Sequence, residues 1–100
     1  MASKLNIQDL IGNKREAILQ LAAQYGVSDV RVFGSAARGE ASEDSDLDFL
    51  VKFPADTSIF DVVGFWLDLK ALLGREIDLL TDHPSGGQLM QIAREEAVSL

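Results

Sequence analysis

Ser45-Asp46-Leu47-Asp48-Phe49-Leu50-Val51-Lys52-Phe53-Pro54 reads as a β-strand that carries acids on one side only. From Leu47 to Phe53 the residues alternate. Leu47, Phe49 and Val51 share one face, and Asp46, Asp48 and Leu50 share the other, as a period of two requires. Pro54 cannot donate to a ladder and closes the strand. Upstream, Val30-Arg31-Val32-Phe33 reads as a shorter strand that stops at Gly34. Downstream, Glu76 to Leu80 reads as another, with Ile77 and Leu79 on one face and Asp78 on the other.

Helical patterns surround these strands. Ile7, Ile11, Ile18, Leu21 or Ala22, and Tyr25 recur by threes and fours, so the spacing predicts one helix over Ile7 to Tyr25, with Lys14 the single off-type position and Gly26 the C-terminal cap. Ile59 to Leu73 is apolar nearly all round, broken only by Asp61, Gly64, Asp68 and Lys70. Such a helix is deeply buried or docked on a partner, and Phe60, Phe65 and Trp66 are its candidates for a protein interface. A last helix is expected over Gln88 to Val98. Pro54 and Pro84 both stand where a regular pattern ends.

The order helix, strand, strand, helix, strand, helix predicts an α+β domain, close to α/β. It has a small mixed sheet of three to four strands and helices packed on one face. The first two strands suit an antiparallel pair, and the helical crossover lets the third run parallel to the second.

Composition narrows the functional classes. The chain has 100 residues, of which 47% are hydrophobic and 25% charged, which is globular and not disordered composition. No apolar run reaches the roughly 18 residues that span a bilayer, and Met1 to Asn6 lacks the regions of a secretory signal. With no cysteine, disulfide scaffolds, thiolate zinc sites and thiol catalysis are excluded, and a cytoplasmic setting is expected. Nine basic residues against 16 acidic give a net charge of −7. That charge argues against autonomous nucleic-acid binding and makes a polyphosphate ligand dependent on metal ions or a basic partner.

Against that background the acids stand out. Asp46 and Asp48 are two apart on a strand, roughly 6.5–7 Å between Cα atoms, and Asp78 lies on a strand of the same pattern. Should the two strands pair, three carboxylates converge, an all-oxygen set suited to magnesium or manganese. Taken alone, Asp46 and Asp48 suit a solvated sheet face equally well. Gly34-Ser35 ends the first strand where a backbone can approach a ligand closely. Ala36-Ala37-Arg38 could open a short helix whose free N–H groups favour phosphate, with Arg38 adding a cation. Arg38 could equally pair with Glu40 or Glu43. Gly-Ser, ten residues, then Asp-x-Asp is a spacing expected by chance in roughly one chain in a thousand of this length. His83 reads as a surface or loop residue and Tyr25 as a packing residue.

The blocks Val32-Phe33-Gly34-Ser35-Ala36-Ala37-Arg38-Gly39 and Ser45-Asp46-Leu47-Asp48-Phe49-Leu50-Val51 resemble the signature of polymerase-beta-like nucleotidyltransferases, and most closely the minimal nucleotidyltransferase (MNT) group. Glu76-Ile77-Asp78-Leu79-Leu80 and Glu95-Glu96-Ala97-Val98 agree with that group. The resemblance implies that Asp46, Asp48 and Asp78 bind a pair of Mg²⁺ ions and are catalytic. It also implies that Gly34 and Ser35 contact the triphosphate of ATP, with Arg38 and Ser45 as helpers. It implies one minimal domain over 1–100 with the acceptor site supplied by another protein. That partner would be a HEPN-domain ribonuclease toxin in a hetero-oligomer, and the chain would be the antitoxin that transfers AMP to a toxin hydroxyl, a tyrosine above all. Two other readings stay open: an antitoxin that merely masks its toxin, and a nucleotidyltransferase acting on a small molecule. Neither nucleic acid nor membrane is expected as a direct partner.

Overall fold

The computed structural model describes residues 4–83 and 86–100; Pro84 lies outside them. Four strands form one sheet: β1 (Asp29–Phe33), β2 (Leu47–Lys52), β3 (Ile77–Thr81) and β4 (Val98–Ser99). Their order is β3-β2-β1-β4. β1 pairs antiparallel with β2, and β2 pairs parallel with β3, in register from Leu47↔Ile77 to Val51↔Thr81. Both pairings follow the sequence expectation. β4 is the addition: Val98 and Ser99 pair with Val32 and Arg31 along the other edge of β1. The expected last helix therefore stops earlier, as α4 (Gly87–Glu96), and Val98 leaves it for the sheet.

The expected single helix at the start is two. α1 (Ile7–Ile11) begins with a reciprocal cap, in which the Asn6 side chain accepts from the Asp9 N–H and the Asp9 carboxylate accepts from the Asn6 N–H, both at 2.9 Å. It ends at Gly12, whose φ of 58° only glycine adopts without strain. α2 (Arg15–Gln24) then starts afresh. α3 (Ile59–Leu73) runs as expected. The Ser58 hydroxyl accepts from Phe60 N–H at 3.1 Å, and Gly74, left-handed at φ 64°, closes it.

Leu47, Phe49 and Val51 of β2, Val30 and Val32 of β1, and Ile77 of β3 turn to one face of the sheet. There they meet Ile18 and Ala22 of α2 and Phe65, Leu69 and Leu73 of α3. Tyr25 and Phe53 each pack edge-on to Phe65, with centroids 5.6 and 5.7 Å apart. The Tyr25 hydroxyl donates to Asp68 at 2.5 Å. Phe65 is fully buried and so drops out of the interface candidates, while Phe60 remains 83% exposed.

The other face was expected to be open. It is covered instead by α4, whose Met90 and Ala93 bury Leu50 together with Phe33 and Leu80. Leu50 shares its side of β2 with Asp48, and an aliphatic side chain there is worth about 2 kcal/mol once buried. The acids thus occupy one end of a face whose remainder is packed. Among the described residues no helix is long and apolar enough to cross a membrane.

Candidate active site

The parallel register places Asp48 of β2 directly beside Asp78 of β3. Asp46 immediately precedes β2, exposed, with Asp48 half-buried two residues on. Asp48 is pushed up to about 6. The largest cause is burial, followed by a side-chain hydrogen bond with Asp78, the charge of Asp78 and the charge of Asp46; Arg38 pulls the other way. Asp46 and Asp78 therefore both act on one point, the Asp48 carboxylate. Among the described residues no three of His, Cys, Asp or Glu close into a ready-made ligand cluster.

On the other side of Asp48 stands Gly34, which follows Phe33, the β1 register partner of Asp48. Gly34 has φ 76°, and a Cβ there would overlap the Asp48 carboxylate. Only glycine permits both the backbone path and the approach. After it the chain makes one turn. Arg38 N–H donates to the Gly34 carbonyl at 3.2 Å, Gly39 N–H to that of Ala36 at 3.1 Å, and Glu40 N–H to that of Ser35 at 2.8 Å. The expected short helix at Ala36-Ala37-Arg38 does not form. Gly39 turns left-handed at φ 69°, and Ala41 is drawn into a bridge with Leu5.

Arg38 reaches back over this turn. Its Nε donates to Glu40 at 2.8 Å and its Nη1 to Glu96, at the end of α4, at 2.6 Å. Of its two anticipated partners, Glu40 is engaged; Glu96, 58 residues away, takes the place of Glu43. Ser45 organises the approach to Asp46. Its hydroxyl accepts from Ser42 N–H at 2.8 Å, and its carbonyl accepts from Arg75 Nη1 at 3.1 Å, while Arg75 also holds the Glu43 carbonyl at 3.2 Å. Glu96 and Arg75 carry no local signal in the sequence that ties them to the acids.

The donor set fits a hard divalent cation. It is all oxygen, and Asp48 is held abnormally protonatable by burial first and then by Asp78 and Asp46, whose charge a cation would offset. Asp46, Asp48 and Asp78 would hold such ions, which would polarise phosphate oxygens and offset the charge of a triphosphate.

Known proteins are similar to this chain in sequence and fold. Residues 14–98 match the family described as nucleotidyltransferase domain. A candidate protein adenylyltransferase of Methanocaldococcus jannaschii is 36% identical over 96 residues, which cover 96% of this chain and 99% of that protein. The protein adenylyltransferase MntA of Thermococcus cleftensis is 44% identical over 61 residues, 61% of this chain and 62% of that one. A solved structure of a candidate minimal nucleotidyltransferase superposes with a TM-score of 0.77 at 44% identity, covering 87% of this chain and 89% of that one. A toxin–antitoxin complex with AMP-PNP shares the fold, with a TM-score of 0.72 at 19% identity over 84% of this chain and 69% of that one.

Proposed function

The chain belongs to the nucleotidyltransferase domain family, and on that premise we propose that it transfers AMP from ATP, with Mg²⁺, to a tyrosine hydroxyl of a partner protein. Relatives named as protein adenylyltransferases support the protein acceptor. The partner is a toxin of the HEPN class and the chain its antitoxin, a reading supported by the toxin–antitoxin structures that share the fold. The observation that carries the chemistry is the register pair Asp48–Asp78 with Gly34 packed against the same carboxylate.

The residues divide the work by position. Asp46, Asp48 and Asp78 would hold the ions. The Gly34–Ser35 turn receives the phosphates through its backbone, and Arg38 adds a cation above it. The tyrosine oxygen forms a bond to the α-phosphorus, the bond from that phosphorus to its β-bridging oxygen breaks, and pyrophosphate leaves. The phenolic proton passes through the Asp78 carboxylate to water. Placement and charge stabilisation supply the rate, as in phosphoryl transfer generally.

The test incubates the chain with labelled ATP, Mg²⁺ and the product of the neighbouring gene. Label is expected on the partner, and the Asp46→Asn, Asp48→Asn double variant is expected to lose it while keeping an unchanged circular dichroism spectrum. Full transfer by that variant would end the catalytic reading. The exposed apolar residues Ile59, Phe60, Val63 and Leu67 on α3 favour a second reading, an antitoxin that acts by covering its toxin. Neutralisation that persists in the double variant selects it.

A further inference from the structure

Asp46 is exposed and stands one residue ahead of β2, outside the run of residues that the ladder pairs. The direction of its side chain is set by the two peptide planes that meet at its Cα. Arg75 Nη1 donates to the Ser45 carbonyl at 3.1 Å, which fixes the plane before Asp46. The same nitrogen donates to the Glu43 carbonyl at 3.2 Å, which holds the loop behind it. The Glu76 carbonyl accepts from the Leu47 N–H at 3.1 Å, which fixes the plane after Asp46. Arg75 and Glu76 are consecutive, and Asp78 follows two residues on, within β3. Residues 75–78 therefore hold Asp46 by its backbone and carry Asp78 as a side chain.

We propose that Arg75 is a positioning residue that sets Asp46 against Asp78 for divalent cations by gripping the Ser45–Asp46 peptide. The inference deepens the metal-dependent transfer proposed above and rests on its three acids. A guanidinium suits the task. One of its nitrogens carries two N–H groups in a fixed plane, one for each carbonyl, whereas a lysine ammonium is a hydrated point charge on a flexible stem. Among the described residues the hydrogen bonds of Arg75 go to backbone carbonyls and to no carboxylate, so it acts through the chain and not by neutralising an acid. Its Nε is buried with no hydrogen-bond partner among the described residues. An unpaired buried donor costs stability, which makes Arg75 a poor choice for the fold alone. Groups that orient metal ligands from behind are worth about 10- to 100-fold in metal affinity or activity.

The test titrates the full chain with Mn²⁺, without nucleotide or acceptor, and reads the free ion by its electron paramagnetic resonance signal. The readout therefore does not depend on transfer. Arg75→Met keeps the unbranched stem and removes every donor; Arg75→Lys keeps a cation without the planar fork. Arg75→Met is expected to raise the Kd for Mn²⁺ about tenfold or more, and Arg75→Lys about threefold. Loss of a positive charge by itself would draw the cation in more tightly, so the sign of the change separates placement from charge. Tyr25→Phe, which removes the hydrogen bond to Asp68 on the helix-packed face, is the control for general destabilisation and is expected to leave the Kd within about twofold of wild type. A Kd for Arg75→Met within about twofold of wild type, or below it, would overturn the proposal. So would an equal rise in Tyr25→Phe, or a wild type that binds no Mn²⁺. Should Arg75→Met not fold, Arg75→Lys decides by the same criterion. AMP transfer to the neighbouring-gene protein is scored separately. Its absence in wild type, with Mn²⁺ binding weakened in Arg75→Met, would remove the transfer reading and leave the role of Arg75 standing.

Discussion

Gly34 leaves the space that the Asp48 carboxylate occupies: a Cβ at residue 34 would overlap it, and φ there is 76°. Gly34→Ala therefore meets two penalties at once. The left-handed backbone alone costs an alanine about 1–2 kcal/mol, and the overlap forces Asp48 off its position. We expect a loss of at least about 2 kcal/mol, roughly 8–16 °C in Tm for a domain of this size, with AMP transfer reduced about a hundredfold or more. Gly74→Ala is the control. It is left-handed too, φ 64°, but has nothing within 4 Å of the added carbon. It should show only the backbone penalty and full transfer.

Asp48 and Asp78 facing each other without a cation are an electrostatic cost carried for function. Asp48→Asn removes that repulsion while keeping shape. Its Tm at pH 7.5 should equal or exceed that of wild type in metal-free buffer, while transfer falls about a hundredfold or more. Adding millimolar Mg²⁺ should raise the Tm of wild type by mass action and leave that of Asp48→Asn nearly still. A calorimetric scan with and without chelator reads both effects. Equal Mg²⁺ stabilisation of the two proteins would show the ion binding elsewhere.

The strand positions of Asp48 and Asp78 and the turn at Gly34 are legible because each depends on a local period or a local dihedral. Alternation puts Asp48 and Asp78 opposite Phe49 and Leu79, and a glycine after a strand marks a close approach. Leu50 carries a signal of its own: an aliphatic residue on the acidic side of β2 means that something covers that side, and α4 does. The break at Gly12 was also written locally, in Gly12-Asn13, but the three-four spacing of Ile7, Ile11 and Ile18 outweighed it. The strand at Val98–Ser99 has no such signal. It exists because β1 has a free edge, and two residues cannot announce a long-range pairing. The same holds for Arg38 and Glu96, 58 residues apart in sequence.

That Arg38–Glu96 contact sets a competition. Arg38 donates to Glu40 and Glu96, so a triphosphate arriving at the Gly34 turn must draw the guanidinium from two carboxylates. Glu96→Gln weakens one of them. We expect a KM for Mg·ATP a few-fold below wild type, and Arg38→Ala to raise it, both with little change in Tm because the pair is exposed. Steady-state kinetics at fixed acceptor separates these outcomes. A KM unmoved by either substitution would remove Arg38 from nucleotide binding.

Away from the acids, Asp82 ties three elements together. It accepts from Arg31 of β1 at 2.5 Å and from Arg94 of α4 at 2.7 Å, and Asp29 shares Arg31 at 3.1 Å. These two guanidiniums, Arg94 first, hold the Asp82 carboxyl down to about 2, against 3.8 ordinarily. The folded protein therefore keeps Asp82 charged under conditions where the unfolded chain has already taken up a proton. The stabilisation is fully present above about pH 4 and disappears as pH falls toward 2, a difference on the order of 1–2 kcal/mol. Asp82→Asn removes the same interaction at every pH. Urea unfolding of wild type and variant should thus differ by that amount at pH 7 and converge near pH 2. A gap that stays constant from pH 7 to 2 would mean that Asp82 contributes through shape and packing and not through its charge.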